Sequence, residues 1–433
     1  MRTNYRWLFA AILLFTSTIA FSQGVTTAAI NGQVTDEAGE PLPGANVVAL
    51  HLPSGTVYGS TTDYEGFYRI SGMRTGGPYR ITISYIGFED YVKDNEFLQL
   101  GQTGRFSAKL AESVTELEGV VLTGDASGVF NSNKTGSETM VSQRDIQTLP
   151  AASRSIADFV RITPQATITE GTDGFSISLS GQNNRYNAIY IDGAVNNDVF
   201  GLAGSGTNGG QTGVNPFSVD AIESFQIALA PFDVRIAGFS GGAISAVTRS
   251  GTNEFQGSAY YFLRNQDLAG KTPPDLANGT TREKLADFTA QTYGVRIGGP
   301  LVKDKLFFFL NYERQDDETP QPFNVNDYIG AGGAAGLTNL ADFIRNTYGY
   351  DVGGFQNNTR TLVSDKITAK LDWNASENHK LSLKHSYVKG DNLEARSSDF
   401  NSIGFINGSE SFLTTTNSTS LEWNGSFSNK YAN

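Results

Sequence analysis

The chain has 433 residues, with 44 Asp and Glu against 32 Lys and Arg and a formal net charge of −12. An acidic chain without a basic run repels a polyphosphate, which excludes nucleic acid as a partner. No cysteine is present, so disulfides, thiol nucleophiles, iron–sulfur clusters and cysteine-ligated zinc are excluded, and three histidines (His51, His379, His385) leave little for imidazole chemistry. The 48 glycines, 28 phenylalanines and 18 tyrosines beside 3 methionines suit a turn-rich, strand-rich protein and not a helical bundle.

Residues 1–22 have the form of a secretory signal peptide. Arg2 and Arg6 form a basic start, Trp7 to Ala20 is a mostly apolar stretch, and Ala20-Phe21-Ser22 offers small residues where a signal peptidase reads. Cleavage is expected before Gln23. The apolar stretch is short of the roughly 20 residues of a spanning helix. No later segment approaches 18 consecutive apolar residues, so any membrane crossing after export must use strands.

Residues 24–112 alternate with period two between turn signals. The turns are expected at Asp36–Gly39 and Asp63–Gly66. In the stretch PYRITISYIGFEDYV, Tyr79, Ile81, Ile83 and Tyr85 alternate with Arg80, Thr82 and Ser84. Short strands at this spacing predict a small antiparallel β-sandwich held by inward Val, Ile, Leu and aromatic side chains. Residues 113–135 follow as a linker. Val120-Val121-Leu122 forms its one apolar patch, flanked by polar chain, and such a segment can add as a strand to the sheet edge of a partner through backbone hydrogen bonds.

Residues 136–250 predict two short helices, around Ser142–Leu149 and Ser155–Ile162, then strands in SISLSG, NAIYIDGA, ESFQIAL and GGAISAVTRSG. The apolar strands are few and the Gly/Asn-rich loops long, a poor sequence for a free-standing core and a better one for a domain wrapped by something else. Two chemical motifs occur here and neither has its context. Gly204 to Gly209 matches G-x-G-x-x-G, but QTGVNPF follows, where a dinucleotide loop must open a helix. Gly238-Phe239-Ser240-Gly241-Gly242 matches G-x-S-x-G, but AISAVT follows as a strand, where a nucleophile elbow needs a helix. Asp192, Asn196, Asn197 and Asp198 cluster oxygen atoms, a pattern that belongs to Asx turns more often than to a metal. No catalytic residue, cofactor or metal ligand is assigned.

Residues 251–433 carry six candidate strands: Phe255–Arg264, Gln291–Gly298, Leu306–Arg314, Lys366–Trp373, Lys380–Tyr387 and Ser418–Phe427. Each is about 8–10 residues, the length that crosses a bilayer when tilted. Ile367, Ala369, Leu371 and Trp373 share one face, with Lys366, Thr368, Lys370 and Asp372 on the other. Leu381, Leu383 and Tyr387 oppose Lys380, Ser382, Lys384 and Ser386. Thr419, Leu421, Trp423 and Phe427 oppose Ser418, Ser420, Glu422 and Ser426. Long polar connections (about 265–290, 315–365 and 388–417) follow the first, third and fifth strands, and short ones (GGPLVKDK, NASENH) follow the second and fourth. That alternation, with aromatic residues near the strand ends, predicts an outer-membrane β-barrel.

Three stretches resemble known families. GQVTDEAGEPLPGANV with TTDYEGFYRI and ITISYIGFE resembles the carboxypeptidase regulatory-like domain, which implies a transthyretin-like, carbohydrate-binding-like sandwich without peptidase activity. IYIDGA and the run from SVDAIESFQIA to GGAISAVTRSG resemble the end of a plug domain. TRSGTNEFQGSAYYFLRN and GGPLVKDKLFFFLNYE resemble the plug–barrel junction of TonB-dependent outer-membrane receptors of the Oar-like group, and LEGVVLTG resembles a TonB box. The resemblance implies a Gram-negative outer-membrane protein whose regulatory-like domain is periplasmic. It also implies contact with outer-membrane lipid, and with TonB through Leu117, Glu118, Val120, Val121, Leu122 and Thr123. The function implied is energy-coupled passage of an unidentified ligand, with carbohydrate and peptide as candidate classes. The alternative is a structural or protein-secretion role of Oar type. The fold class expected is mainly β: the sandwich, an α+β plug, and the first strands of an incomplete barrel. Six strands cannot enclose a plug of more than 100 residues, since plugged transporters use about 22. The chain is therefore expected to be the N-terminal portion of a longer receptor. It would leave open sheet edges that lipid does not tolerate.

Overall fold

The computed structural model describes residues 25–113, 138–149, 151, 154–171, 174–229, 239–273, 282–428 and 431–432. The signal-peptide region and residues 117–123 lie outside them.

The first domain is a two-sheet sandwich. Its strands are β1 (Ala28–Asp36), β2 (Asn46–His51), β3 (Thr56–Thr61), β4 (Phe67–Met73), β5 (Gly76–Ser84), β6 (Tyr91–Leu98), β7 (Thr103–Arg105) and β8 (Ala108–Leu110). One sheet runs β3-β2-β5-β6; the other runs β4-β1-β7, with β8 also on β1. The expected turns form, with Asp63 Oδ1 accepting from the backbone of Glu65 at 2.9 Å and of Phe67 at 2.8 Å. Tyr79, Ile81 and Ile83 meet Ile30, Val34, Val47 and Leu110 in a single apolar core. The antiparallel expectation needs one correction: β1 pairs in parallel with both β7 and β8. A period-two pattern fixes which face a residue takes but not strand direction, and the returning chain runs alongside β1 in the same sense. At the break between β7 and β8 the Phe106 carbonyl lies over Gly32, where a Cβ would meet it at 1.9 Å, so only glycine fits there.

The second domain has β9 (Glu138–Val141), α1 (Gln143–Thr148), α2 (Ile156–Val160), β10 (Ala166–Gly171), β11 (Gly174–Leu179), β12 (Ala188–Ile191), β13 (Ala194–Val195), β14 (Ile222–Ala228) and β15 (Ala243–Thr248). Both helices begin where Ser residues announce them. Asp145 accepts from Ser142 N at 2.9 Å and Asp158 from Ser155 N at 3.2 Å, which satisfies donors a helix start leaves open. The main sheet runs β13-β12-β15-β14-β9, and β10 and β11 form a separate hairpin. The domain also has a better core than its loops suggested. Ile156, Phe159 and Val160 of α2 pack with Phe217, Phe225, Ile227 and Ile244. Short helices and a central strand of small residues, AISAVT, supply burial that a search for long apolar strands overlooks.

The third region is one antiparallel sheet in chain order: β16 (Gln256–Asn265), β17 (Thr289–Val302), β18 (Leu306–Gln321), β19 (Asn358–Asn374), β20 (His379–Glu394), β21 (Glu410–Ser428) and β22 (Tyr431–Ala432). All six expected strands exist. The short-turn ends fall close to expectation. The long-loop ends run further, to Gln321, back to Asn358 and on to Glu394. These extensions are polar and stay ordered by pairing with one another, such as Asp317 opposite Leu362, so they carry no apolar alternation to find. The long loop after β18 contains a helix, α3 (Gly333–Tyr348), that the strand pattern gave no reason to expect.

Burial on this sheet is inverted relative to a water-soluble sandwich. On β19, Lys366, Lys370 and Asp372 are only 3%, 8% and 6% exposed, while Leu371 and Trp373 are 41% and 50% exposed. Leu421 on β21 is 70% exposed. The charged face is covered by protein and the apolar face is left bare, the arrangement a lipid-facing sheet requires. Among the described residues no helix is long and apolar enough to cross a membrane.

Candidate plug and barrel interface

The inward face of the sheet covers the second domain through buried polar contacts. Asp192 and Gly193 both take positive φ, 46° and 75°, in the two-residue turn joining β12 to β13. This is the Asp-Gly hairpin geometry that follows strand twist. The Asp192 carboxylate accepts from Thr248 N at 2.8 Å and Thr248 Oγ1 at 2.7 Å, and pairs with Lys384 Nζ of β20 at 2.9 Å. Lys370 Nζ of β19 donates to the Thr248 carbonyl at 3.2 Å. Burial alone would raise the Asp192 pKa. Lys370, Lys384 and the Thr248 hydrogen bonds outweigh it and hold the carboxyl at about 2.

Two further contacts repeat the pattern. Glu313 of β18 pairs with its cross-strand neighbour Lys366 at 2.9 Å, and its second oxygen accepts from Ser218 Oγ at 2.8 Å and Tyr260 OH at 2.6 Å. Arg296 of β17 reaches Asp220 at 3.0 Å, and Ser258 donates to the same carboxylate at 2.9 Å. Toward the long-loop side the fit becomes steric. A Cβ on Gly390 would stand 2.9 Å from Thr212 Oγ1 and 3.0 Å from a Val214 methyl. Paired charges of this kind hold a domain in one position at little net gain in stability, because desolvation offsets most of the attraction.

Neither motif set aside on sequence grounds is followed by an α-helix. Only the three-residue turn Gly210–Thr212 follows Gly209, and strand β15 follows Gly242. Asn197 Oδ1 accepts from Ile189 N, and Asp198 accepts from the backbone of Phe200, Leu202 and Ala203 at 3.0, 2.5 and 2.6 Å. These donors outweigh a burial penalty and keep the Asp198 carboxyl below its ordinary range. Among the described residues no group of His, Cys, Asp and Glu is arranged to hold a metal. Leu117, Glu118, Val120, Val121, Leu122 and Thr123 lie outside the described residues. Sequence reasoning placed Lys366, Lys370 and Lys384 on the polar face but gave them no partners. Three lysines at inward positions of adjacent strands demand buried acids, and that demand was the available signal.

Three family descriptions match in chain order: Carboxypeptidase regulatory-like domain over residues 29–111, TonB-dependent Receptor Plug Domain over 131–244, and Outer membrane beta barrel domain over 247–328. These three domains, in this order, are the ones that TonB-dependent outer-membrane receptors carry. It is 30% identical over 325 residues to the TonB-dependent transporter Oar of Myxococcus xanthus, covering 70% of this chain and 28% of that protein. It is 25% identical over 216 residues to the probable TonB-dependent siderophore receptor PirA of Acinetobacter baumannii, covering 46% of this chain and 26% of that one. The chain thus spans about a quarter of the length of these relatives. Among solved structures, the outer membrane transporter YddB from Escherichia coli aligns with TM-score 0.48 at 15% identity, over 67% of this chain and 37% of that one. These relatives are transporters and receptors, not enzymes. The sheet is an outer-membrane barrel wall, and the second domain is its plug. The wall is not closed: β16 and β22 are its two edges among the described residues.

Proposed function

We propose that the complete protein is an energy-coupled transporter, not an enzyme, that passes a ligand through the barrel by moving the plug. The working division is a signal peptide (1–22), a regulatory-like domain (24–112), a linker with the TonB-contact segment (113–135), a plug (136–250) and a barrel from residue 251. The observation that carries the reading is the inverted sheet: a bare apolar face outside and a charged face inside, engaged by a separate folded domain through polar contacts. Such contacts can exchange with water when the plug shifts, whereas an apolar interface could not do so cheaply. The outer membrane has no ATP supply, so work must arrive from TonB. Leu117 to Thr123 would present a strand to it through backbone hydrogen bonds. The ligand class stays open between carbohydrate and peptide.

The segment is tested by capture. The complete protein should co-purify with the periplasmic domain of TonB, and V121P, which removes a donor in the middle of the added strand, should abolish capture while the receptor stays in the outer membrane. Unchanged capture by V121P overturns the assignment of the segment.

A further inference from the structure

The regulatory-like domain does not sit apart from the other two. Val25 and Leu100, both buried, join a cluster with Ala188, Tyr190, Ala243 and Val247 of the plug. Leu100 belongs to this seam and not to the sandwich core. On its other side the same domain touches the barrel wall at the short-turn ends of its strands. Asn374 Nδ2 donates to Thr56 Oγ1 at 3.0 Å, Asn253 N to the Pro53 carbonyl at 2.8 Å, and Thr26 Oγ1 to Glu422 at 2.7 Å. Arg74 donates to the Gly251 carbonyl at 3.4 Å and lies over the Phe307 ring, and Lys380 Nζ is 4.2 Å from the Tyr58 ring centroid. Between the three bodies lies a cavity of about 240 Å³, lined by Arg74, Glu223, Arg249, Lys370 and Asp372 among others.

We propose that the regulatory-like domain is a latch that bridges plug and barrel rim from the short-turn side and holds the plug in its resting position. One rigid body fastened to two others must release one of them before they can move apart. The seam to the plug is small and apolar, while the contacts to the wall are single hydrogen bonds and cation–π contacts around a polar cavity. That is the make-up of an interface that opens and recloses, not of a permanent one. The linker adds a geometric reason. It joins β8 of the latch to β9, the four-residue edge strand of the plug sheet, so a pull on residues 113–135 loads both at once. The latch rests on the plugged-transporter reading for its meaning but not for its test.

Residues 1–433 contain no cysteine, so T56C with N374C, in a complete protein whose cysteines beyond residue 433 are replaced by serine, gives a single thiol pair. A thiol crosslinker applied to outer membranes should join them in the resting protein. L100D should lower that yield roughly tenfold or more, because an unpaired carboxylate is not tolerated in the seam. It should also sensitise cells to a glycopeptide antibiotic too large for an intact outer membrane. R74S supplies a second variant, remote from the seam, that should weaken the crosslink in the same direction. Absence of the crosslink in the unsubstituted background overturns the docking. A crosslink that L100D and R74S both leave intact, or antibiotic sensitivity unchanged when docking is lost, overturns the latch. Neither readout needs TonB or a transported ligand, so a failure here is distinct from failure of the transport reading.

Discussion

The carboxylate of Asp192 in the plug and the ammonium of Lys384 in the barrel wall lie 2.9 Å apart, with both side chains buried. The two residues stand 192 positions apart in the chain (384 − 192), and they join the plug to the wall. Asp192→Asn removes the carboxylate that pairs with Lys384 and that also acts on Lys370. The expected cost to plug seating is about 3–5 kcal/mol, the range for breaking one side of a buried pair. Hydrogen exchange at Tyr190 and Ile191 in the complete, membrane-embedded protein should rise accordingly. Adding Lys384→Met to Asp192→Asn should recover part of the protection, because it removes the ammonium left facing a neutral amide, while Lys370 keeps its neighbour Asp372.

The same carboxylate sets an acid limit. Its folded pKa of about 2 lies below the ordinary 3.8 of an aspartate. A depressed carboxyl contributes stability that is full above the unfolded pKa and lost as pH falls through the folded one. Plug protection should therefore hold at pH 5 and decline between about pH 4 and pH 2. Protection already lost at pH 5 would mean that Asp192 is not ionised in the seated plug.

The regulatory-like domain should fail earlier on acidification. His51 is buried, donates or accepts at Ser54 Oγ over 2.6 Å, and has its pKa lowered from 6.5 to about 3 by burial and by Arg74. Its neutral form is the folded one, so the stability it contributes is full above pH 6.5 and declines as pH falls toward 3. Ring-proton shifts of His51 should stay those of neutral imidazole at pH 5. A midpoint near pH 6.5 would contradict its burial.

On the outward face, Leu383→Arg places a cation where Leu is bare of protein. Near the bilayer midplane such a change costs roughly 2–4 kcal/mol. Heat-modifiable, folded receptor in membranes should fall, while Leu383→Ala should have a small effect. Equal tolerance of both would argue against lipid contact.

Much of this was legible because the barrel wall obeys one simple rule. Ile367 to Trp373 alternate strictly, and strict alternation survives whether the apolar side faces a core or lipid; the long and short loops then decide between the two. What alternation cannot carry is direction and partnership. The parallel pairing of β1 with β7 left no periodic trace. Neither did the polar extensions beyond Arg314, nor α3, which has only Leu337 buried. Asp192 was visible as part of an oxygen-rich turn, but its role depends on Lys370 and Lys384, nearly 180 residues later or more. Contacts of that range are set by tertiary packing alone.

The account stands on which face of the wall meets lipid. Single cysteines placed in turn at positions 366 to 373 of the complete protein, spin-labelled in membranes, report collisions with lipid-soluble oxygen and with a water-soluble relaxant. The expected result is a period of two, with positions 367, 369, 371 and 373 open to oxygen and positions 366, 368, 370 and 372 shielded by the plug. Shielded odd positions beside water-exposed even ones would contradict it and make this sheet half of a soluble sandwich.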